Sequence, residues 1–316
     1  MATIDILLAT YNGAPFLPEQ LASLERQTYQ DWRLIARDDG SSDGSLDLVR
    51  DWATQSGREV KFIEDGRTGL GAKDNFATLL EASDAPYFAF CDQDDVWLPE
   101  KLSLMLERLC AAEARRGMDT PLIAYSDLRV VDAQLRDIHP SFRTYTGIQQ
   151  PRPGRLVVDL MTQNVVTGCA SLGNFALRRA ALPIPPEAVM HDWWLAMVAM
   201  GTGEIVDVRE ATVLYRQHGG NSIGALRWSL PFIVREALTD LSGNARRVRA
   251  FIADTQRQAQ VFHSRFGHEL EQREADVVIR YGTLQAGKFM PRKAFAVKNL
   301  FKTNRFIRNM SLLTFV

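Results

Sequence analysis

Residues 87–97 read Tyr-Phe-Ala-Phe-Cys-Asp-Gln-Asp-Asp-Val-Trp, so a short apolar run leads directly into a cluster of acids. The run 87–91 has the length and composition of a buried strand, and Asp92, Asp94 and Asp95 follow where that strand ends. Several carboxylates at one sheet edge repel each other unless a cation neutralises them. The stretch therefore predicts a hard divalent metal at the end of a strand, with a solvated Asp-rich turn and helix cap as the alternative.

The sequence on both sides of this stretch alternates apolar runs with helix-periodic segments. Such alternation is typical of an α/β fold with a Rossmann-like, mostly parallel sheet. Residues 127–224 contain six prolines, which favour loops and short strands, and the chain after them has long helical patterns. We predict a catalytic α/β domain over 1–225 and a helical, basic C-terminal region over 226–316, with strands at 4–9, 32–37, 60–63, 87–91 and 122–126.

Composition and cysteine usage exclude several classes of protein. Hydrophobic residues make up 46% of the chain and charged residues 24%, as in a soluble globular protein rather than a disordered one. The three cysteines lack the CxxC spacing of a zinc site or a disulfide framework. We find no signal peptide and no apolar stretch of about 18–20 residues, so we expect a cytoplasmic protein.

Charge is distributed unevenly along the chain. The net charge is −1, yet residues 226–316 carry 16 Lys/Arg against 7 Asp/Glu. Residues 280–316 hold eight of these cations and no acid, interleaved with Phe, Leu and Ile. An amphipathic basic helix of this kind predicts an anionic membrane surface as a partner, although its apolar side could equally pack on the protein itself. Nucleic acid is an alternative partner for such a segment, and the charge pattern alone leaves both open.

Two further polar groups follow the first two predicted strands. Ligands of open α/β sheets bind beyond the carboxyl ends of the strands, so these residues should meet the acids after residue 91 at one rim. Thr10, Tyr11 and Asn12 follow the first strand, and Asp38-Asp39-Gly40-Ser41 follows the second. A β-turn and helix cap would explain part of the second group but not its two adjacent acids. One of these carboxylates could accept a hydrogen bond from a nucleotide base or ribose.

Two motifs in the second half of the chain have the chemistry of an acceptor site and a phosphate site. His191-Asp192-Trp193-Trp194 places an acid beside two aromatic rings, which suits a proton acceptor next to a stacking surface. Two core tryptophans with Asp192 as a cap are the alternative. Tyr215-Arg216-Gln217-His218-Gly219-Gly220-Asn221 offers a guanidinium for bidentate phosphate binding and a histidine that, taken alone, is more often a surface residue.

Taken together, these motifs and Phe90-Cys91-Asp92-Gln93-Asp94-Asp95-Val96-Trp97 resemble the signatures of the family 2 glycosyltransferases, in the branch that includes bacterial rhamnosyltransferases. The resemblance covers about the first 225 residues. It implies a GT-A fold, the nucleotide-diphospho-sugar transferase type, with inversion at the anomeric carbon. It also implies a nucleoside diphosphate sugar donor held by Mg²⁺ or Mn²⁺.

The resemblance also implies roles for individual residues. It makes Asp94 the direct metal ligand, with Asp92 near the ribose or a metal-bound water and His218 completing the metal or diphosphate site. Asp192 is then the general base that activates the acceptor. Lys73 and Asn75 lie where the family contacts the nucleotide, although an exposed helix start explains them equally well. The remaining assignments are the nucleotide-binding residues Thr10, Tyr11, Asn12, Asp39 and Arg216, and the acceptor-binding residues Trp193 and Trp194.

The implied function is transfer of one sugar in bacterial surface polysaccharide synthesis. We predict L-rhamnose from dTDP-rhamnose as the sugar, and a glycan or lipid-linked glycan as the acceptor. Since many relatives extend lipid-linked glycans, the resemblance favours peripheral binding at the cytoplasmic face of the inner membrane and no nucleic-acid partner. The alternatives are a UDP-hexose donor or a nucleotidyltransferase, although residues 12–15 supply no basic loop for a triphosphate. The QxxRW signature of processive members is absent from the sequence, which favours single transfer.

Overall fold

The computed structural model describes residues 3–148, 156–219 and 241–284, and one mixed sheet runs through this part of the chain. The strands are β1 (Ile4–Thr10), β2 (Trp32–Asp38), β3 (Val60–Phe62), β4 (Tyr87–Asp92), β5 (Val96–Trp97), β6 (Leu122–Val131), β7 (Asp137–His139), β8 (Ser171–Asn174) and β9 (Glu204–Arg216).

Helices cover both faces of this sheet, and a short 3-10 turn spans Gly168–Ala170. Apolar residues that recur at helical spacing, such as Leu17, Leu21 and Leu24, lie in a buried cluster. The helices are α1 (Leu17–Glu25), α2 (Ser45–Ser56), α3 (Gly71–Ala82), α4 (Lys101–Arg116), α5 (Phe142–Thr146), α6 (Leu156–Thr162), α7 (Phe175–Ala181), α8 (His191–Thr202), α9 (Leu241–Phe266) and α10 (Gln272–Gly282).

The strand order along the sheet is β3-β2-β1-β4-β8-β6-β9-β5, with β7 paired to β6. Strands β3, β2, β1 and β4 run parallel, as do β6 and β9, whereas β8 is antiparallel to both of its neighbours. This mixed, mostly parallel sheet confirms the predicted α/β fold. In the register, Thr10 lies opposite Asp38 and Ala9 opposite Asp92, so the carboxyl ends of three strands meet at one edge.

Alternation along the strands builds a separate core on each face. Ile6 and Leu8 of β1 face one buried cluster together with Leu21 of α1, while Leu7 faces the other together with Phe76 of α3. A strand alternates its side chains between the two faces of the sheet, so β1 supplies both cores. Both cores contain side chains of β1, β2 and β4, the three strands that end at this edge.

The middle of the chain is more regular than predicted. Residues 127–224 were expected to form loops and short strands, yet β6 continues to Val131, and β9 runs for 13 residues beside it. The prolines of this region that the structure describes, Pro140, Pro183, Pro185 and Pro186, lie between helices and strands rather than inside them. Irregular register near Asp127 breaks the simple alternation of apolar residues, which hides a long strand from sequence patterns.

Helices α9 and α10 confirm the predicted helical character of the C-terminal region within the described residues. They pack on α6 and α8, and Ile252, Ala259 and Phe262 belong to the same buried cluster as Trp194. The predicted boundary between 225 and 226 lies outside the described residues, as does the basic segment 285–316, so membrane docking stays a prediction. Among the described helices none is long and apolar enough to cross a bilayer.

Candidate active site

A cavity of about 730 Å³ opens at the sheet edge where β1, β2 and β4 end. Residues after these three strands form one side of it, and the first turn of α8 forms another. The structure therefore brings together predicted residues that are far apart in sequence. Those that line the cavity are Thr10, Tyr11, Asp39, Asn75, Asp92, Asp94, Asp192 and Trp193.

Asp39 is held in a fixed orientation at this edge. Its Oδ1 accepts hydrogen bonds from Leu70 N (3.0 Å) and Arg37 Nη1 (3.2 Å), and its Oδ2 accepts one from Gly71 N (2.8 Å). Arg37 also donates to Asn75 Oδ1 at 3.0 Å, so one buried guanidinium orients two residues of the cavity. Arg37 was not among the predicted residues, although a buried-strand arginine directly before the two acids Asp38 and Asp39 is an available signal. Oδ2 keeps a lone pair for a ligand hydroxyl.

The loop after β1 presents Tyr11 to the cavity. The Gln93 side chain accepts a hydrogen bond from Tyr11 N (2.8 Å) and donates one to Tyr11 O (2.9 Å), while the ring stays 57% exposed. Gly13 makes this contact feasible, because a Cβ there would lie 2.2 Å from Gln93 Oε1. Thr10 Oγ1 donates to Asp38 Oδ1 at 2.8 Å, which ties the ends of β1 and β2 together.

Asp92 and Asp94 form an acidic pair beside a histidine. Burial raises the pKa of Asp92, and the charges of Asp94 and Asp192 raise it further. His218 Nε2 lies 2.8 Å from Asp94 Oδ2, and its ring packs on Phe16 with centroids 4.2 Å apart. Carboxylate oxygens suit Mg²⁺ or Mn²⁺, and a cation would relieve the repulsion between the two acids. The two carboxylates therefore suit the predicted metal, and His218 contacts one of them.

A second acidic cluster lies behind the first. Ligand atoms of Asp92, Asp95 and Cys169 lie within 4.8 Å of one another, but Asp95 and Cys169 are buried. Burial, then the charges of Asp94 and Asp92, raises the pKa of Asp95 well above its usual range. A buried thiol suits softer metals than Mg²⁺. A metal that touches a ligand in the cavity is therefore better placed on Asp92 and Asp94, which line it.

A buried lysine lies beneath these acids. Lys101 Nζ donates to Cys169 O at 2.6 Å and is 3.0 Å from the centroid of the Trp97 ring. Burial lowers the pKa of Lys101 to about 7, and its charge in turn lowers the pKa of Asp92. Lys101 was not among the predicted residues, because it begins α4 just after Pro99, where a lysine is expected on the surface.

Asp192 is fixed at the first turn of α8. Its Oδ2 accepts a hydrogen bond from Gly168 N (2.9 Å) and its Oδ1 one from Trp193 N (2.6 Å). Burial raises the pKa of Asp192 to about 6, against the lowering effect of these bonds. The neighbouring His191 is buried beside Phe76, and burial lowers its pKa to about 3. His191 is therefore neutral, and Asp192 is the titratable group that this turn offers to the cavity.

The two tryptophans that follow Asp192 point in different directions. Successive residues of a helix lie about 100° apart around its axis, so the two rings lie in different surroundings. Trp193 lines the cavity and donates from Nε1 to Leu160 O at 2.6 Å. Trp194 is 0% exposed, donates to Ala181 O at 3.0 Å and packs on Phe262. Contrary to the predicted acceptor contact, Trp194 is therefore a core residue, and the cavity receives Trp193 alone.

The Arg216 side chain contacts protein atoms, whereas the sequence predicted a phosphate ligand at this position. Its side chain is 3% exposed; Nε donates to Asp94 O at 2.8 Å, Nη1 donates to Ala133 O at 3.0 Å, and Nη2 pairs with Glu19. At least three of its N–H groups therefore point to protein acceptors. Its backbone N–H also donates to Asp95 at 3.1 Å, so Arg216 ties the end of β9 to the acidic turn.

Two other predicted residues lie beside the cavity lining. Lys73 Nζ donates to Pro186 O at 2.9 Å, which links α3 to the segment before α8. Asn12, with a φ of 49°, accepts a hydrogen bond from Ser42 N at 2.9 Å and so holds the loops after β1 and β2 together. In the structure, both residues contact protein groups at the rim.

Comparison with known proteins places this geometry among sugar-transferring enzymes. The sequence model described as "Glycosyl transferase family 2" matches residues 5–179. The dTDP-rhamnosyl transferase RfbG of Shigella flexneri is 25% identical over 234 residues, which cover 69% of this chain and 74% of RfbG. The Escherichia coli UDP-Glc:alpha-D-GlcNAc-diphosphoundecaprenol beta-1,3-glucosyltransferase WfgD is 28% identical over 108 residues, 34% of this chain and 40% of WfgD.

A solved structure shows the same fold. The mannosyltransferase PcManGT from Pyrobaculum calidifontis, in complex with GDP-Man and Mn²⁺, superimposes with a TM-score of 0.55 at 16% sequence identity. The superposition covers 99% of this chain and 84% of that protein. At this identity the likeness establishes the fold.

Proposed function

The chain belongs to glycosyl transferase family 2, and from this premise we propose that it is a metal-dependent, inverting enzyme that moves one sugar from a nucleoside diphosphate to an acceptor hydroxyl. One observation supports the proposal most directly. The acidic pair Asp92 and Asp94 and the fixed carboxylate of Asp192 lie on the same cavity, close enough for the charge of Asp192 to raise the pKa of Asp92. The sugar donor and the carboxylate that accepts the proton can therefore lie in the same cavity.

The nucleotide is proposed to bind where β1 and β2 end. Tyr11 offers an exposed ring for stacking on the base, and Asp39 offers an oriented oxygen to the base or ribose. Thr10 and Asn75 line the same part of the cavity. Asn12 and Lys73 support this end from the rim through their bonds to Ser42 and Pro186.

The diphosphate is proposed to lie against Asp92, Asp94 and His218, which would hold Mg²⁺ or Mn²⁺. The ion would supply positive charge to the departing diphosphate. His218 is held on Phe16, and Arg216 fixes the backbone carbonyl of Asp94. Residues at the end of β9 and just after it therefore hold the acidic turn in place without the help of a ligand.

Asp192 is proposed to act as the general base. Its carboxylate takes the proton from the acceptor hydroxyl while that oxygen bonds to the anomeric carbon from the face opposite the diphosphate. The bond between the anomeric carbon and the diphosphate oxygen breaks in the same step, and the electron pair leaves with the nucleoside diphosphate. One displacement inverts the centre. A β-L-rhamnosyl donor would give an α-L-rhamnoside.

The proposed base predicts how activity depends on pH. Asp192 accepts a proton only when ionised, and burial raises its pKa to about 6. We expect kcat at saturating donor, acceptor and metal to fall about tenfold for each pH unit below 6 and to level off above 7. Initial rates from pH 4.5 to 8 at constant ionic strength measure this, and a kcat that stays level down to pH 5 would exclude Asp192 as the base.

Arg216 is proposed to position Asp94 rather than to bind phosphate. In Arg216→Lys the branched contact with Asp94 O, Ala133 O and Glu19 is lost while the charge remains. We expect the Mn²⁺ concentration for half-maximal activity to rise about tenfold, with kcat at saturating Mn²⁺ nearly unchanged. Calorimetry of nucleoside diphosphate binding without metal is the control. A loss of affinity there would mean that Arg216 contacts the phosphates directly.

The donor sugar is proposed to be L-rhamnose from dTDP-rhamnose. The support is the similarity to RfbG, a dTDP-rhamnosyl transferase, over 69% of this chain. WfgD is named for a UDP-Glc donor, so a UDP-hexose is the alternative. A ligand that binds only the folded state raises the unfolding temperature. Thermal unfolding with dTDP-rhamnose, UDP-glucose, UDP-galactose and UDP-GlcNAc, each with Mn²⁺, should show the largest rise for dTDP-rhamnose.

The acceptor is proposed to be a glycan or lipid-linked glycan of a bacterial surface polysaccharide. WfgD is named for a sugar linked to diphosphoundecaprenol, which supports a lipid-linked acceptor. An acceptor of this kind would be met at the cytoplasmic face of the inner membrane. No observation favours the alternative nucleotidyltransferase activity, and the family is one of glycosyl transferases.

A further inference from the structure

Phe251 is a residue of α9 that reaches the same cavity as Asp192 and Trp193. Its side chain is 46% exposed, although the next residue, Ile252, is buried in the core. Single exposed aromatic residues are common on protein surfaces and need no explanation. Phe251 differs from them because it lines a cavity that also holds a buried carboxylate.

The helix that carries Phe251 is fixed to the catalytic core by other residues. Gln258 accepts a hydrogen bond from Val189 N at 2.8 Å, and Phe262 packs on Trp194. Arg265 Nη1 donates to Pro183 O at 2.7 Å. These contacts hold α9 against α8 and the segment before it, so the position of the Phe251 ring does not depend on the ring's own burial.

A continuous set of contacts links Phe251 to the proposed base. The rings of Phe251 and Trp193 have centroids 5.9 Å apart at an angle of 34°. Trp193 is almost fully buried, its indole is fixed on Leu160 O, and its backbone N–H donates to Asp192. Trp193 therefore forms the wall between Asp192 and Phe251. A molecule whose hydroxyl reaches Asp192 would extend along this wall towards Phe251.

We propose that Phe251 is an acceptor-binding residue that stacks on a neutral pyranose ring, an inference that rests on the proposed function. The C–H groups on one face of a pyranose carry slight positive charge, which the negative face of a phenyl ring attracts. A phenyl ring has no hydrogen-bonding group, so it recognises that face rather than the hydroxyls. The C-terminal helical region thus contributes to the choice of acceptor.

Saturation-transfer difference NMR with simple glycosides tests this assignment. The probes are methyl α-L-rhamnopyranoside, methyl β-D-glucopyranoside and the methyl β-glycoside of N-acetylglucosamine. The proteins are wild type, Phe251→Ala, Phe251→Trp and the control Phe175→Ala, which removes a ring of 44% exposure from outside the cavity lining. We expect transfer to the ring C–H protons of at least one glycoside in wild type. It should fall about fivefold in Phe251→Ala, in keeping with one aromatic contact, and persist in the other two variants.

Equal transfer in wild type and Phe251→Ala, or no transfer to any probe in wild type, would overturn the proposal. Octyl β-D-glucopyranoside below its critical micelle concentration adds a further arm. If Phe251→Ala loses transfer to the octyl protons but keeps transfer to the sugar protons, the ring binds an alkyl or prenyl chain and the saccharide assignment is wrong. Thermal stabilisation by nucleotide sugars, measured on the same samples, reports separately on the proposed function.

Discussion

Replacing Asp94 by alanine is expected to lower kcat about a thousandfold and to remove the stabilisation that Mn²⁺ and nucleoside diphosphate together confer. The reason is electrostatic. Asp94 lines the cavity beside Asp92 and His218, and without it the ion that offsets the diphosphate charge loses its proposed direct ligand. Steady-state rates over a Mn²⁺ titration, with thermal unfolding in the presence of nucleotide, measure both effects.

Asp119→Ala is the matched control for this change. Its side chain is 95% exposed and Asp119 is not among the residues that line the cavity, so both rate and stabilisation should match wild type. Normal activity of Asp94→Ala at saturating Mn²⁺ would contradict the metal assignment. The next test would be whether the ion binds the second cluster instead, which consists of Asp95, Cys169 and the shared residue Asp92.

Replacing Asp192 by asparagine is expected to lower kcat on the order of a thousandfold while donor affinity stays within about twofold of wild type. An amide retains the shape and can still accept from Gly168 N, but it cannot take the proton of the acceptor. Calorimetry with the donor and Mn²⁺ gives the affinity, and single-turnover rates give the chemical step.

The pH profile of the same variant gives an independent check. Its residual rate should lose the fall below pH 6 that protonation of Asp192 causes, because the proposed base is gone. Asp276→Asn, an exposed acid of α10, is the control and should keep both the rate and the pH dependence. If Asp192→Asn loses donor affinity in proportion to kcat, Asp192 belongs to the nucleotide site instead.

The parallel strands β1, β2, β3 and β4 could be predicted from the sequence. Strands such as 4–9 and 32–37 are short apolar runs, each followed by a helix of clear period, so local patterns predict them to within one residue. Their carboxyl ends carry polar clusters, which predicts the edge where the cavity lies. Strand β9 was not predicted, because its register against β6 shifts between Asp207 and Ala211, which breaks the alternation of apolar residues.

Sequence patterns could not predict which side chains of the site point into the cavity. Trp193 and Trp194 are adjacent and look equivalent, yet the helix turns one to the cavity and the other to the core. Arg216 looks like a phosphate ligand, but its donors are directed to carbonyls and to Glu19, contacts that link residues far apart in the chain. Such long-range contacts leave no local signal in a single sequence.

The release of nucleoside diphosphate from a nucleotide sugar tests the central claim most directly. Purified full-length protein is incubated with dTDP-rhamnose or a UDP-hexose, Mn²⁺ and a candidate glycan acceptor, and the products are separated by ion-exchange chromatography. We expect nucleoside diphosphate and a glycosylated acceptor in equal amounts, both lost on chelation of Mn²⁺ and in Asp94→Ala. Release of pyrophosphate, or no metal-dependent product from any donor while Mn²⁺ and nucleotide still bind, would contradict the proposed glycosyl transfer.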